Sequence, residues 1–280
     1  MKELPYLQVI MIEALQRAYR VHQDLGATGM DVVQKNQFGE TALRVDVEIE
    51  KAIIAFLQAR QVPLRLISEE HGTIDIVSAP RFLGILDGLD GSNRYQAGRG
   101  IEKYGTMFGI FLNSDPVYDD YVCSGIMEHS TCSLFIATKS KGAGVIGRDG
   151  RHTVLKVSGH REMNSHTRVY LNRYWEVCRD LFETKVRGSI VSDPRAYSTY
   201  FSDLASGVVD LVITSTGKNN LEIAIGYGLV KEAGGEIFDI DCCPLADKKY
   251  FGFAQDVHVP ILVSANFDLT RAVLNLISSE

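Results

Sequence analysis

The stretch Arg81–Tyr95, RFLGILDGLDGSNRY, carries the clearest structural signal in this sequence. Its segment Phe82–Leu86 predicts a short buried strand that runs directly into two carboxylates, Asp87 and Asp90. Ser92 follows as a residue type that commonly begins a helix. A strand end with two carboxylates beside a helix N-terminus can hold hard cations, which prefer oxygen ligands, next to a phosphate. A plain turn between a strand and a helix is the alternative interpretation.

The composition is that of an ordinary globular protein with an acidic balance. Of the 280 residues, 45% are hydrophobic and 23% are charged, and the formal net charge is −6. This charge, without a run of lysines and arginines, argues against nucleic acid and membrane surfaces as partners. The five cysteines show no zinc spacing, which favours a reduced, cytoplasmic protein. No segment is apolar for long enough to cross a membrane.

The hydrophobic pattern predicts two lobes of different character. The first half predicts helices at 5–24 and 40–60, a glycine-punctuated mobile loop at 26–39, and strands at 64–67, 82–86, 106–112, 121–127 and 132–138 that end in an antiparallel meander. The second half predicts strands at 168–171, 186–191, 208–213, 237–240 and 261–264 that alternate with helices at 174–182, 197–206, 220–233 and 269–277. Such alternation is typical of a layered α/β lobe. We therefore predict an N-terminal lobe at 1–145 and a C-terminal α/β lobe at 146–280.

Residues 142–147, GAGVIG, match the G-x-G-x-x-G pattern of dinucleotide-binding turns. That function needs a strand directly before the pattern and a helix that opens inside it. Here residues 139–141, KSK, intervene, and residues 148–150, RDG, indicate a turn. A glycine-rich hairpin therefore explains the pattern better than a nucleotide site does.

The acidic motif does not fit two other carboxylate chemistries. Counted from Asp87, the ligand positions of a calcium-binding loop would fall on Leu89, Gly91 and Gly98, which offer no side-chain oxygen. The Asp-x-Asp-x-Thr pattern of a phosphatase with a nucleophilic aspartate is missing as well. A water activated by a metal is therefore favoured over a nucleophilic carboxylate. The chain also lacks the Gly-x-Ser-x-Gly turn of a Ser-His-Asp hydrolase.

Three motifs together resemble the inositol monophosphatase/fructose-1,6-bisphosphatase superfamily. Residues 86–92, LDGLDGS, are similar to its Asp-Pro-Ile/Leu-Asp-Gly-Thr/Ser signature, and residues 67–70, ISEE, are similar to its Glu-Glu metal motif. Residues 221–224, LEIA, followed by 231–235, KEAGG, resemble its second signature, Trp-Asp-x-Ala…Glu-Ala-Gly-Gly. The order of elements looks most like the archaeal-type branch, some members of which hydrolyse both inositol phosphates and fructose 1,6-bisphosphate. The resemblance implies an α/β (α+β) fold, a layered α-β-α-β-α sandwich of the sugar-phosphatase type, and a homodimer.

The resemblance also implies the residues of an active site. Two Mg²⁺ ions, or three, would be held by Glu70, Asp87, Asp90, Glu222 and the main-chain carbonyl of Leu89. The catalytic residues would be Asp46, Glu70 and Ser92, with the Ser92 hydroxyl, held by Asp46, orienting the attacking water. The substrate-binding residues would be Gly91, Ser92, Arg195, Ala196, Tyr197, Ser198 and Glu222. Lys35 falls where the family has a basic residue on a mobile loop associated with a third metal.

The sequence departs from the family pattern at functional positions, which leaves two hypotheses open. Gly88 replaces the usual Pro, Glu222 replaces the usual Asp, and Leu221 stands where Trp is common. The first hypothesis is a Mg²⁺-dependent phosphomonoesterase for inositol monophosphate and/or fructose 1,6-bisphosphate, with 3′-phosphonucleotides or NADP as alternative substrates. The second is a non-catalytic or altered-metal relative that binds phosphate without turnover.

Overall fold

The computed structural model describes residues 4–98 and 101–278, in which helices and strands alternate in layers. The helices are α1 (Leu4–Leu25), α2 (Arg44–Ala59), α3 (Ser92–Ala97), α4 (Glu176–Phe182), α5 (Tyr197–Ala205), α6 (Leu221–Glu232) and α7 (Phe267–Ser278). The strands are β1 (Val32–Lys35), β2 (Thr41–Leu43), β3 (Leu64–Ser68), β4 (Gly72–Asp75), β5 (Phe82–Asp90), β6 (Gly105–Phe111), β7 (Tyr121–Glu128), β8 (Ser133–Thr138), β9 (Gly142–Ile146), β10 (His152–Val154), β11 (Arg168–Leu171), β12 (Ile190–Ser192), β13 (Leu211–Ser215), β14 (Glu236–Asp239) and β15 (Pro260–Ser264).

Two sheets form the frame of the molecule. The larger has eight strands in the order β10-β9-β8-β7-β6-β5-β3-β4, and the smaller has five in the order β12-β11-β13-β15-β14. Helices α1 and α2 cover the outer face of the larger sheet, α5 and α6 lie between the sheets, and α4 and α7 cover the smaller sheet. This order confirms the α-β-α-β-α sandwich expected from the sequence.

The burial of each helix follows from its sequence pattern. Helix α1 is apolar on one stripe, and that stripe, which includes Leu7, Ile10 and Leu15, is buried against the larger sheet. Helix α6 is apolar nearly all round, and residues 221–230 are all buried. A helix without a polar face must lie between two layers, which is where α6 is found.

Strand β5 is longer than the sequence pattern indicated. It continues through the acidic motif to Asp90, and all nine of its residues are buried. It lies inside the larger sheet, parallel to β3 and antiparallel to β6. The register shifts between Asp87 and Asp90, so the strand is irregular where its two carboxylates lie.

Several predicted elements need correction. The segment 26–39, which was expected to be a mobile loop, contains a short 3-10 helix, Gly26–Met30, and strand β1. Strand β1 pairs with β2, which occupies the start of the helix expected at 40–60, and α2 therefore begins at Arg44. The strand expected at 186–191 is shorter and lies later in the chain, at Ile190–Ser192. Strands β4 and β10 lie at the two edges of the larger sheet and are only four and three residues long. Such short edge strands leave little periodic signal in a sequence.

The glycine-rich segment forms part of a hairpin, as the sequence indicated. Residues of β9 pair antiparallel with β8 on one side and with β10 on the other. Strand β10 follows residue 145 yet belongs to the larger sheet, and the division into lobes at that residue stays a prediction. Among the described helices, none has the length and apolar character needed to span a bilayer.

Candidate active site

A cavity of about 520 Å³ lies where the end of β5 meets segments that follow the smaller sheet's strands. It collects most of the residues that the sequence marked as functional: Lys35, Glu70, Leu89, Asp90, Gly91, Ser92, Arg195, Tyr197 and Glu222. These residues come from parts of the chain as distant as β1 and α6. The fold therefore brings the three sequence motifs to one cleft.

Three buried carboxylates meet at this cleft. Asp87 and Asp90 come from the irregular end of β5, and Glu222 comes from the first turn of α6. Each offers an oxygen within 4.8 Å of the others. Negative charges this close and this buried repel one another strongly, and a divalent cation would offset that repulsion. Hard carboxylate oxygens are the ligands that Mg²⁺ prefers, so the donor set fits that ion.

The carboxylate of Asp90 is held by the N-terminus of α5. The backbone N–H and the hydroxyl of Ser198 both donate to Oδ2 of Asp90, each at 2.6 Å. Ser198 is fully buried, and Ala196 is nearly so. The structure therefore places Ser198 behind the acidic cluster, and its role as a substrate contact stays a prediction.

Ser92 and Asp46, which the sequence paired as water-orienting groups, lie together. The Ser92 hydroxyl is 3.3 Å from Oδ1 of Asp46 and 3.0 Å from the carbonyl oxygen of Leu89, and its single hydrogen can serve one acceptor at a time. Oδ2 of Asp46 accepts the backbone N–H of Leu43. Burial, and then the negative charges of Glu69 and Glu70, raise the pKa of Asp46 well above its ordinary value.

Asp46 and Glu50 lie four residues apart on one face of α2. Both side chains are buried, because α2 turns this face toward the ends of β3 and β5. Like charges four residues apart on a helix normally favour exposure. Here hydrogen bonds satisfy the carboxylates: Asp46 contacts Ser92, and Glu50 contacts the turn that follows β3.

The turn that carries Glu70 is covered by the β1–β2 hairpin. The amide nitrogen of Asn36 lies 3.4 Å from Glu69 Oε1 and 3.5 Å from Glu70 Oε1. Gln37 donates to the carbonyl oxygen of Ser68 at 2.7 Å. Sequence reasoning missed these two amides. The only local signal was the turn composition of Asn-Gln-Phe-Gly at 36–39.

The model of the inositol monophosphatase family matches residues 5–269. The chain belongs to the inositol monophosphatase family. The resemblance stated from the sequence motifs is thereby confirmed. Membership indicates a metal-dependent phosphatase that acts on a small-molecule phosphate ester. A search of curated proteins finds no match.

Solved structures agree with the family assignment. The extragenic suppressor protein SuhB from Bartonella henselae is 18% identical, with a TM-score of 0.78 over 98% of this chain and 99% of that one. The Thermotoga maritima IMPase is 17% identical, with a TM-score of 0.76 over 99% and 97%. The MJ0109 gene product, an inositol monophosphatase–fructose 1,6-bisphosphatase, is 22% identical, with a TM-score of 0.74 over 95% and 98%. At these identities the likeness establishes the fold.

One departure from the inositol monophosphatase signature has a structural reason. A Cβ added at Gly88 would lie 2.7 Å from the backbone oxygen of Asp46 and 2.9 Å from Cγ of Glu50. Real Cβ contacts are not that short, so a side chain here would push α2 away from β5. Gly91 is constrained differently, since its φ of +88° favours glycine and a Cβ there would be 3.1 Å from that of Ala196.

The opposite side of the cleft is aromatic and basic, and sequence reasoning found only part of it. Tyr174, Trp175 and Asn172 line it without having been predicted. The Trp175 indole donates to the Tyr197 hydroxyl at 3.0 Å, which donates to a backbone carbonyl at 2.7 Å. Arg195 adopts a φ of +56°, and its side chain is 64% exposed. This side resembles a recognition surface more than a metal centre.

Proposed function

We propose that the chain is a Mg²⁺-dependent phosphomonoesterase that hydrolyses a small polyol or sugar phosphate, with inositol monophosphate and fructose 1,6-bisphosphate as leading substrates. The observation that carries the proposal is the meeting of Asp87, Asp90 and Glu222 within 4.8 Å. Buried carboxylates that converge from distant parts of the chain repel one another, and a divalent cation that prefers oxygen ligands would offset that repulsion. Family membership supports the same reaction class.

The predicted metal ligands and catalytic residues each have a place in this proposal. The metal ligands would be Glu70, Asp87, Asp90, Glu222 and the carbonyl of Leu89. When bound, Mg²⁺ supplies charge stabilisation of the phosphoryl oxygens and a lowered pKa for water. Ser92, with Asp46 behind it, would orient the water that attacks phosphorus. Gly91 and Ser92 would contribute backbone N–H groups to the phosphate.

Two cations on the cavity wall favour a substrate with a second anionic group. Lys35 and Arg195 both line the cavity, and Arg195 extends largely into solvent. An arginine can hold a phosphate through two parallel hydrogen bonds, which gives it both energy and orientation. Fructose 1,6-bisphosphate would use such a contact, whereas inositol monophosphate would not.

Phosphate release from a panel of esters tests the proposal. The panel holds inositol monophosphate, fructose 1,6-bisphosphate, a 3′-phosphonucleotide, NADP and p-nitrophenyl phosphate. We expect release with Mg²⁺ from at least one sugar or polyol ester, its loss with EDTA, and its return with excess Mg²⁺. Release that is equally fast in EDTA would overturn the metal-dependent assignment.

Two features of the proposed metal ligands favour the non-catalytic alternative. Ser198 donates twice to the same oxygen of Asp90, and Glu222 is one methylene longer than the family's usual Asp, so these two ligands would hold a cation differently from the ligands of the family signature. A protein of this second kind would bind phosphate in the presence of Mg²⁺ but release none from any ester in the panel. Isothermal titration with inorganic phosphate and Mg²⁺ distinguishes the two.

The assembly and location of the protein belong to the same proposal. We expect a homodimer, which light scattering after size-exclusion chromatography would detect. All five cysteines are free, in keeping with the cytoplasmic location that we propose. A monomer at micromolar concentration would leave the phosphatase proposal standing, because every proposed site residue comes from one chain.

A further inference from the structure

Glu50 is a fully buried carboxylate that no step of the proposed reaction uses. It lies one helical turn after Asp46 on α2, with 0% of its side chain exposed. A buried carboxylate is costly unless several hydrogen bonds compensate it. The partners of Glu50 therefore indicate its role.

All of those partners come from four consecutive residues. Oε1 of Glu50 accepts the backbone N–H of Glu69 at 3.2 Å, and Oε2 accepts that of Glu70 at 3.0 Å. The Ser68 hydroxyl also donates to Oε2, and Nδ1 of His71 lies 2.9 Å from it. The backbone N–H of His71 donates to the Ser68 hydroxyl at 3.1 Å, which closes the network. One carboxylate thus contacts every residue of the turn at 68–71.

This turn determines the direction in which the Glu70 side chain leaves the backbone. It connects β3 to β4, whose residues Ser68 and Gly72 pair, and the backbone N–H of Glu69 also donates to the carbonyl oxygen of Leu86 at 3.1 Å. The sheet therefore holds the two ends of the turn, and Glu50 holds the N–H of Glu70 and the ring of His71 between them. Glu70 lines the cavity that contains Asp90 and Glu222. If the backbone at Glu70 rotated, its carboxylate would move relative to those two, and metal affinity is sensitive to such displacements.

The approach of Glu50 depends on the absence of a side chain in β5. Its Cγ lies 2.9 Å from where a Cβ at Gly88 would be. The glycine that replaces the family's proline therefore allows α2 to approach β5 closely enough for Glu50 to reach the turn. The departure at Gly88 and the burial of Glu50 are parts of one arrangement.

We propose that Glu50 is a positioning residue for the metal centre: it anchors residues 68–71 so that Glu70 faces the cations. The inference rests on the proposed function, because it assumes that the cavity binds Mg²⁺. A merely structural Glu50 would stabilise the fold without affecting Mg²⁺ affinity in particular. Metal affinity and folding stability must therefore be measured separately.

The test compares Glu50→Gln with Glu48→Gln, a control on the same helix whose carboxylate is exposed and paired with Lys51. The dissociation constant for Mg²⁺ is measured by isothermal titration, and the melting temperature is measured in EDTA. We expect Glu50→Gln to raise the Mg²⁺ dissociation constant about 10-fold, within the range for residues that orient metal ligands. The control should match the wild type in both measurements.

Activity gives a second readout with a distinct pattern. In Glu50→Gln the Mg²⁺ concentration for half-maximal rate should rise by the same factor, while kcat at saturating Mg²⁺ and the substrate KM stay near wild type. Ser68→Ala removes one hydrogen-bond donor to Glu50 and leaves every carboxylate in place. It should raise the Mg²⁺ dissociation constant by less than Glu50→Gln does but by more than twofold, and it decides the question if Glu50→Gln fails to fold.

The outcomes separate this inference from the proposed function. A wild type that takes up no Mg²⁺ would overturn both. A wild type that binds Mg²⁺ but releases no phosphate would overturn the phosphatase alone, and the Glu50 comparison would still be valid. If wild type binds Mg²⁺ and the folded Glu50→Gln variant (or Ser68→Ala, where Glu50→Gln does not fold) stays within twofold of its affinity, Glu50 is structural and the inference is wrong.

Discussion

The two walls of the cavity are built by different means. One wall is the end of β5 with α2 behind it, where the buried carboxylates of Asp46, Glu50 and Asp90 each accept more than one hydrogen bond. The other follows the strands of the smaller sheet and exposes 71% of Tyr174 and 64% of the Arg195 side chain. A cation site needs ligands whose orientation is fixed by the groups behind them, whereas an exposed, charged side chain can adapt to its ligand. We propose that the first wall carries the chemistry and that the second wall selects the substrate.

The walls are joined by the helices between the sheets. The N-terminus of α5 donates to Asp90, and the first turn of α6 brings Glu222 to the same cluster. Arg195 and Tyr197, which we propose contact the substrate, lie two residues before α5 and at its first residue. We therefore expect changes on the first wall to abolish turnover, and changes on the second to alter substrate preference.

The largest effect is expected from Asp90→Asn. The amide removes one negative charge from the cluster and brings N–H groups toward Ser198, which already donates there. We expect a loss of roughly 10³-fold or more in kcat/KM, since metal ions contribute several kcal/mol to such reactions. Phosphate release measures it, with Asp149→Asn on an exposed turn as the control. Full activity in Asp90→Asn would remove Asp90 from the metal site.

Ser92→Ala should have the next largest effect. Loss of the hydroxyl removes the group that we propose orients water but leaves the carboxylate cluster unchanged. We expect kcat to fall roughly 10²-fold, the scale of a positioned proton-transfer group, with Mg²⁺ affinity near wild type. Ser189→Ala, whose hydroxyl bonds only a surface carbonyl, is the control. A weakened Mg²⁺ affinity with unchanged kcat would assign Ser92 to the metal site.

Arg195→Ala tests the second wall. Removing its charge should raise the KM for fructose 1,6-bisphosphate about 10-fold, because one charged hydrogen bond to phosphate is worth roughly 1.5 kcal/mol or more. The KM for inositol monophosphate and both kcat values should change little. Arg161→Ala is a matched control, since its side chain is 69% exposed. Equal effects on both esters would show that the second wall does not select for a second phosphate.

The contrast between the walls also describes what the sequence could predict. Asp87, Asp90 and Glu222 lie in short motifs beside a predictable strand or helix, so their convergence was expected. The orientation of Glu50 was not predictable, because it depends on α2 approaching β5 at Gly88, a contact between distant segments. Trp175 was missed because an aromatic residue before a helix is usually interpreted as part of a core, and the cavity that it lines forms only when distant segments meet.

Glu222→Asp is expected to have the smallest effect, and it tests how the length of this side chain affects Mg²⁺ binding where the two walls meet. The family's preference for Asp would predict tighter Mg²⁺ binding on restoring it. The structure predicts the opposite, because the longer Glu222 already reaches within 4.8 Å of Asp87 and Asp90 from α6. Shortening the side chain by one C–C bond withdraws its oxygens by about 1.5 Å, so a water would have to bridge the gap to the cation, and the Mg²⁺ dissociation constant should rise about threefold. Glu176→Asp in the first turn of α4 is the matched control. A lower dissociation constant in Glu222→Asp would mean that α6 sits too close for Glu and that the sequence departure weakens the site.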